Sequence, residues 1–139
     1  MNNMLIQRFS FIHRRSGIHL DRQLKNLNIS FGQFLYILCI CENEGLSQEN
    51  ISCRLKIDKG SVARTLKQLE ANGYILRIVS PDDRRTLQIF PTDKAKRQYA
   101  QIAHISSNWE NVLTHGLTDI EVAVLVNLLD KVIENMTHC

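Results

Sequence analysis

Residues 58–85 read DKGSVARTLKQLEANGYILRIVSPDDRR, and this stretch decides the fold. Asp58 is the kind of residue that caps a helix, because its side chain accepts hydrogen bonds from the first free N–H groups. An amphipathic basic segment follows, and Gly73 stands where such a helix ends. Residues 74–79 then have the composition of a strand, and Ser-Pro-Asp-Asp at 80–83 is typical of a tight turn. This order predicts a helix followed by a hairpin.

A shorter helix is predicted just before this one, over residues 48–55, with Ser47 as its N-cap. A turn through Lys56 and Ile57 joins the two, which is the spacing of a helix-turn-helix. Three apolar residues of the second helix share one face and are expected to pack inward: Val62, Leu66 and Leu69. In this motif the N-terminal half of the second helix enters the DNA major groove.

The other faces of the second helix carry the residues expected at DNA. The candidates are Lys59, Ser61, Arg64 and Thr65 for base edges and Lys67 for a sequence-independent phosphate contact. Arg64 can form two hydrogen bonds with guanine, and Ser61 or Thr65 can touch base edges or phosphates. Ser47 and Gln48 open the preceding helix, whose free N–H groups suit a phosphate.

The hairpin is expected to make a second contact with DNA. Arg84 and Arg85 stand at or just after its turn, and an arginine at a hairpin tip suits a narrow minor groove. Asp83 is expected to orient an arginine through a salt bridge. The second strand is predicted over residues 86–90, and Pro91 closes it because proline cannot donate to a ladder.

The whole chain, residues 1–139, is predicted to form one mainly α-helical domain with a small β-wing. The winged helix-turn-helix occupies residues 30–91, and the segments 1–28 and 92–139 are predicted to be dimerisation helices. Four more helices are predicted, over residues 3–27, 31–43, 93–115 and 119–136. The second of these is apolar nearly all round, which indicates a buried helix. Gly17 is expected to be a bend or weak point in the first.

The last helix has more apolar surface than one small core can cover. Its apolar rows contain Val124, Leu128, Val132, Leu125, Leu129, Ile133 and Met136. A stripe of this width needs a partner surface, so we expect the terminal helices to pair two copies of the chain. The alternative is that these helices pack only on each other within one chain.

The charge distribution favours a polyanion as the partner. The chain has a net charge of +3, but residues 54–97 contain eleven Lys and Arg and five Asp and Glu, so this centre carries +6. A basic centre between acidic-leaning ends is typical of nucleic-acid binding, although a solvated surface can have the same composition. With no signal peptide and no membrane-spanning run, the chain is expected to be cytoplasmic.

Neither the cysteines nor the histidines have the spacing of a metal site. The cysteines are Cys39, Cys41, Cys53 and Cys139, and the histidines are His13, His19, His104, His115 and His138. Buried, reduced structural thiols are expected rather than redox sensors. No metal or cofactor is expected. The sequence has no nucleophile–base pair and no phosphate loop, so an enzyme is not expected.

Residues 57–96, IDKGSVARTLKQLEANGYILRIVSPDDRRTLQIFPTDKAK, resemble the MarR family of bacterial regulators. Residues 69–75 match the end of that family's recognition helix and the start of its wing. Residues 83–85 match its wing motif of aspartate, any residue and arginine. Residues 92–94 match the entry to its long dimerisation helix.

The resemblance implies a homodimeric repressor on a pseudopalindromic operator, with Arg85 as the minor-groove arginine and Asp83 as its anchor. It also implies a ligand pocket between the dimer helices and the winged helix. The candidate lining residues are His13, Arg14, His19 and Phe34. Two features depart from the family pattern. Pro91 and Ala95 replace an apolar residue and a glycine, and residues 1–27 lack the cysteine that peroxide-sensing members place there.

The sequence therefore predicts a sequence-specific DNA-binding transcriptional regulator, a homodimeric repressor that a small ligand releases. The expected partners are double-stranded DNA, a second copy of the chain and a small-molecule effector, with no membrane. Two alternatives stay open at this point. One is a thiol-responsive regulator of the same fold, and the other is a winged helix that binds proteins and has no DNA target.

Overall fold

The computed structural model describes residues 2–137, so His138 and Cys139, considered above as a metal ligand and a thiol, lie outside it. The elements are α1 (Met4–Leu24), a 3-10 turn (Lys25–Leu27), α2 (Phe31–Glu42), β1 (Leu46–Ser47), α3 (Gln48–Leu55), α4 (Lys59–Ala71), β2 (Ile75–Val79), β3 (Leu87–Pro91), α5 (Asp93–Leu113) and α6 (Asp119–Glu134). The predicted fold class, mainly α with a small β-wing, is confirmed.

The helix starts that were predicted from cap residues are confirmed by their hydrogen bonds. The Asp58 carboxylate accepts from the Ser61 N–H at 2.9 Å, and this bond begins α4. Thr118 and Glu121 cap α6 reciprocally, since each side chain accepts from the backbone N–H of the other. The other starts are capped by Ser47 at α3, by Thr92 at α5 and by the Gln33 side chain on the Ser30 N–H at α2.

The sheet has three antiparallel strands in the order β1-β3-β2, where the sequence predicted two strands. β1 pairs with Ile89 and Gln88 of β3. A two-residue strand has no alternation that a sequence pattern could detect. The second wing strand also differs from the predicted 86–90, because Pro91 is its last residue and lies opposite Ile75. Proline is tolerated at a strand end, where no further N–H is needed.

The core lies where α2, α3 and α4 pack against the sheet. Its buried side chains include Phe34, Tyr36, Ile37 and Ile40 of α2, Ile51 of α3, Val62, Leu66 and Leu69 of α4, and Ile75 and Ile89 of the strands. The inward face predicted for α4 is therefore confirmed, and α2 is a largely buried helix as predicted. This packing fixes the opposite face of α4 toward the outside of the molecule.

α1 runs unbroken through Gly17, where a bend or weak point was expected. A Cβ at this position would lie 3.2 Å from Phe31 Cδ2, so the glycine lets the start of α2 approach α1 closely. The Asp21 carboxylate strengthens the contact by accepting from the Phe31 N–H at 2.6 Å. The 3-10 turn after Leu24 carries the chain from α1 toward α2.

α5 connects the winged helix with the terminal helices. Near its C-terminal end the Trp109 indole N–H donates to Ser16 Oγ of α1 at 2.8 Å. Near its N-terminal end the Gln98 side chain is hydrogen-bonded at 2.6 Å to the Tyr74 hydroxyl, which also contacts the Leu27 carbonyl oxygen. Polar contacts at both ends of α5 thus hold α1 and the root of the wing together.

The terminal helices keep much of their apolar surface exposed. None of the 16 residues of α6, all of which lie in the described part of the chain, is buried. A groove of about 610 Å³ runs between α1 and α6. Half-exposed apolar side chains along these helices include Leu5, Phe9 and Ile12 of α1 and Val124, Leu125 and Leu128 of α6. The wide stripe that the sequence predicted is present on the surface.

Across residues 2–137, no single helix combines the length and the apolar composition that a membrane span requires. α1 with its 3-10 turn and α2 meet that description only as a pair, and the pair is bent by 65°. Most of the apolar side chains of α2 belong to the core.

Candidate nucleic-acid interface

The first turns of α4 carry a chain of hydrogen bonds from its cap to Arg64. Asp58 accepts from the Ser61 N–H at 2.9 Å and from the Ser61 hydroxyl at 2.7 Å, and Ser61 Oγ accepts from Arg64 Nη2 at 3.1 Å. The bonds from Ser61 lower the pKa of the Asp58 carboxyl below its ordinary value. A Cβ on Gly60 would lie at an ordinary contact distance of 3.5 Å from Arg64 Nη1, so the guanidinium packs across the first turn. Arg64 is thereby held beside the helix start.

The other predicted contacts of α4 differ in how freely they reach solvent. Thr65 is half-buried and lies close to the Tyr36 side chain. Tyr36 is 2% exposed, and burial raises the pKa of its phenol. Lys59 Nζ lies 3.9 Å from Glu49 Oε1, with both side chains well exposed, and Lys67 is exposed. Arg64, Lys59 and Lys67 thus present cationic groups, whereas Thr65 is half-buried.

The start of α3 and the wing meet at a shallow cavity of about 280 Å³. Ser47 and Gln48 line it from α3, and Arg85 and Thr86 line it from the wing. The sequence predicted the first pair as phosphate contacts and Arg85 as a minor-groove contact. The fold brings these residues to one place, where helix N–H groups and a guanidinium can face the same stretch of a polyanion.

The turn of the wing lies later than the 80–83 segment predicted from its composition. The Thr86 N–H donates to the Asp83 carbonyl at 3.0 Å, so Arg84 and Arg85 are the two central residues of the turn. Among residues 2–137, Asp83 does not form the salt bridge with an arginine that was predicted. Its carboxylate forms hydrogen bonds within the turn instead. The Asp83 carboxylate accepts from the Arg85 backbone N–H at 3.0 Å and from the Thr86 hydroxyl at 3.2 Å. Asp83 thus fixes the backbone and leaves both arginine side chains exposed.

A second cavity, of about 350 Å³, lies where α1, α2 and α5 meet. His13 and Phe34, two of the four predicted ligand contacts, line it, and Trp109 lines it from α5. The other two predicted ligand contacts, Arg14 and His19, are not among the residues that line this cavity. The Arg14 guanidinium packs 5.9 Å from the centre of the Phe11 ring, and the His19 ring stacks on Trp109 with centroids 4.3 Å apart. No local sequence pattern indicates the α5 contribution, which arises only from helix packing.

The thiols have the character of structural groups. Burial raises the pKa of the Cys39 and Cys41 thiols above their ordinary values, which lowers the reactive thiolate fraction. Cys39 is buried as predicted, but Cys41 and Cys53 are only half-buried. Among residues 2–137, no cluster of three or more His, Cys, Asp or Glu side chains has the arrangement of a metal site.

Comparisons with known proteins agree with this geometry. The family model described as MarR family matches residues 29–87. The chain is 31% identical over 121 residues to the HTH-type transcriptional regulator BilQ of Clostridioides difficile (strain CD3), covering 87% of this chain and 82% of that one. It is 28% identical over 134 residues to YybA of Bacillus subtilis (strain 168), an uncharacterized HTH-type transcriptional regulator, covering 96% and 89%.

Solved structures give the same result. A Listeria monocytogenes protein described as a MarR family transcriptional regulator, solved in complex with a 26mer DNA, has a TM-score of 0.88 to this chain. The two are 33% identical, and the alignment covers 98% of this chain and 90% of that one.

Proposed function

The chain belongs to the MarR family of transcriptional regulators, and from that premise we propose that it is a homodimeric repressor that binds a pseudopalindromic operator and is released by a small ligand. Membership of this family supports transcription regulation and DNA binding. The proposal adds three properties: the oligomeric state, the sign of regulation and the effector.

The observation that carries the proposal is the pair of exposed arginines on two rigid elements. Arg64 lies beside the capped start of α4, and Arg85 lies at the tip of a wing whose turn Asp83 fixes. An arginine suits guanine O6 and N7 in the major groove, and another suits the negative potential of a narrow minor groove. The related Listeria protein was solved with DNA, which supports DNA as a partner of this chain.

A homodimer is supported by the exposed apolar surface of α1 and α6. Leu128 is 52% exposed and Ile120 is 76% exposed, although both lie on a helix whose apolar rows are typical of a packed interface. A second copy of the same surface would cover these side chains in a two-fold arrangement. Two α4 helices related in this way reach successive major grooves, which are ~34 Å apart.

Release by a ligand is supported by the cavity between α1, α2 and α5. Its volume of about 350 Å³ is in the range of small-molecule sites. Its walls belong to the winged helix on one side, through Phe34, and to the terminal helices on the other, through His13 and Trp109. A molecule bound there would alter the angle between those parts, and so the spacing of the two α4 helices.

The proposal is tested by selecting bound duplexes from a random DNA pool with the purified protein. We expect an inverted repeat whose half-sites lie about one helical turn apart. The matched control is the Arg64→Ala, Arg85→Ala double variant, which we expect to enrich no repeat. Enrichment of a single unrepeated half-site would contradict the homodimer, and the absence of any enriched sequence would contradict operator binding.

The sign of regulation needs a separate measurement. A reporter promoter that overlaps the selected repeat should be less active when the protein is present, because the bound dimer blocks the polymerase. Higher reporter activity would identify an activator and overturn the repressor assignment.

A further inference from the structure

The cavity between α1, α2 and α5 has a mainly aromatic wall. Phe9, Phe31, Phe34 and Trp109 line it together with the imidazole of His13. The rings of Phe31 and Phe34 are stacked, with centroids 6.0 Å apart and an angle of 21° between their planes, and the His13 ring lies 5.2 Å from that of Phe31. Aromatic faces carry negative electrostatic potential, so such a wall accepts both apolar rings and organic cations.

Trp109 is held on this wall by contacts with α1. Its indole N–H donates to Ser16 Oγ at 2.8 Å, and Ser16 is buried. The His19 ring stacks on the indole with centroids 4.3 Å apart. The polar edge of the indole is therefore engaged within the protein, which leaves Trp109 to offer a ligand only its ring.

Glu110 supplies the acidic group of the cavity. Among the lining residues, all of which lie within residues 2–137, there is no lysine, no arginine and no second carboxylate. The Glu110 side chain is exposed, and within the described chain its carboxylate forms no salt bridge. An ionised carboxylate accepts hydrogen bonds and attracts positive charge. An anionic ligand would meet this charge and find neither lysine nor arginine on the wall.

We propose that the effector of this cavity is an organic cation that carries an aromatic ring. Glu110 is its counter-charge, and the aromatic wall is the surface for its apolar part. The cavity volume of about 350 Å³ is sufficient for a small molecule of this class. The inference rests on the proposed release by a small ligand, and it adds the charge and the chemical class of that ligand.

The test uses small probes that differ in charge. The first probe is benzyltrimethylammonium, and its matched control is neopentylbenzene, which has a neutral carbon in place of the quaternary nitrogen. At mildly alkaline pH, where free imidazole is neutral, we expect the cation to bind about tenfold more tightly than this neutral isostere. Phenylacetate, which has a negative charge, and tetramethylammonium, which has no ring, should both bind more weakly than the benzyl cation.

Two measurements report these affinities. Trp109 is the only tryptophan of the chain, so tryptophan fluorescence reports directly on the cavity wall. Isothermal titration calorimetry gives the same affinities without depending on a change in fluorescence.

The contribution of the Glu110 charge is isolated by three variants. Glu110→Gln keeps the size of the side chain and removes its charge, so the preference for the cation over the neutral isostere should fall toward one. Glu110→Asp, which restores a carboxylate, should recover part of the preference. Glu134→Gln is the matched control and should keep the wild-type preference, because Glu134 is exposed on α6 and does not line the cavity.

Several results would overturn the inference. It fails if the neutral isostere or phenylacetate binds as tightly as the cation, if Glu110→Gln keeps the wild-type preference, or if calorimetry detects binding of none of the probes. It also fails if Glu110→Gln loses a dimer in light scattering, since the carboxylate would then pair with a second copy of the chain.

Operator affinity separates this inference from the proposed release. A cation that binds through Glu110 but leaves operator affinity unchanged would support the ligand class and contradict release through this cavity. A neutral or anionic compound that binds the cavity more tightly than the cation and weakens operator binding would support release and overturn the ligand class.

Discussion

The centre of the chain and its last helix differ in how far they bury their apolar side chains. Val62, Leu66 and Leu69 of α4 are fully buried, whereas no residue of α6, which lies wholly in the described part, is buried. Both segments have apolar rows at helical spacing in the sequence. The winged helix thus buries its apolar rows within one chain, whereas α6 leaves its apolar rows uncovered.

The largest effect is expected when a charge is placed on the exposed apolar surface of α6. Leu128→Glu should prevent pairing and weaken operator binding by about 4 kcal/mol, because an unpaired carboxylate at an apolar interface is strongly unfavourable. Light scattering after size-exclusion chromatography reports the oligomeric state, and anisotropy reports operator affinity. Far-UV circular dichroism should still show a folded helical chain, since the core lies elsewhere.

Asn127→Glu is the matched control, because it adds the same charge to the neighbouring exposed position of α6. We expect this variant to remain dimeric and to bind the operator almost as the wild type does. A Leu128→Glu variant that also stayed dimeric would show that α6 packs only within its own chain.

The core beneath α4 is tested by the substitution Leu66→Ala. Leu66 has 0% exposure, and removing its side chain should lower the free energy of unfolding by about 3 kcal/mol through lost burial and a residual cavity. Urea titration at constant protein concentration measures the change. Lys67→Ala, at the adjacent exposed position, should change stability by less than about 0.5 kcal/mol. Equal effects of the two variants would contradict the assigned inward face.

Local signals in the sequence account for most of the fold. Caps such as Asp58 and Thr118 act over three residues, so the sequence alone predicts where α4 and α6 begin. Burial of one face of α4 also follows from helical spacing. β1 escapes prediction because two residues carry no pattern, and its pairing with β3 depends on residues about forty positions away.

The candidate site was predictable in its residues but not in their contacts. Arg64 and Arg85 follow from motif position. The cavity that Arg85 shares with Ser47 and Gln48, by contrast, joins residues of two elements whose packing sets their distance. Asp83 illustrates the limit, since its residue type suits both an ion pair and a turn cap. The structure selects the turn cap because the Arg85 N–H lies within 3.0 Å.

A smaller effect is expected at the wing. Arg85→Ala should weaken operator binding by about 2 kcal/mol, since it removes the arginine that faces the start of α3. Arg84→Ala removes the same charge from the same turn and should cost less, with a loss that mainly follows the salt concentration. Titrations of both variants at two salt concentrations separate the two contributions. If the two variants lose equal affinity, the turn acts only through its net charge.

The smallest effect concerns the caps of the two regions. The hydrogen bonds from Ser61 depress the pKa of Asp58 in the folded chain below its ordinary value of 3.8. A carboxyl with a depressed folded pKa stabilises the fold fully above its unfolded pKa, and this contribution is lost as the pH falls through the folded pKa. Asparagine also caps helices but does not titrate, so the stability difference between wild type and Asp58→Asn should shrink from about pH 6 to about pH 3.

The cap of α6 provides the comparison, because the hydroxyl of Thr118 does not titrate in this range. Thr118→Ser should therefore differ from the wild type by the same amount at every pH in urea titrations. A constant difference for Asp58→Asn as well would mean that the Ser61 bonds to Asp58 are no stronger than those to a neutral cap. In that case the ionised cap would have no special part in holding the Asp58–Ser61–Arg64 chain at the start of α4.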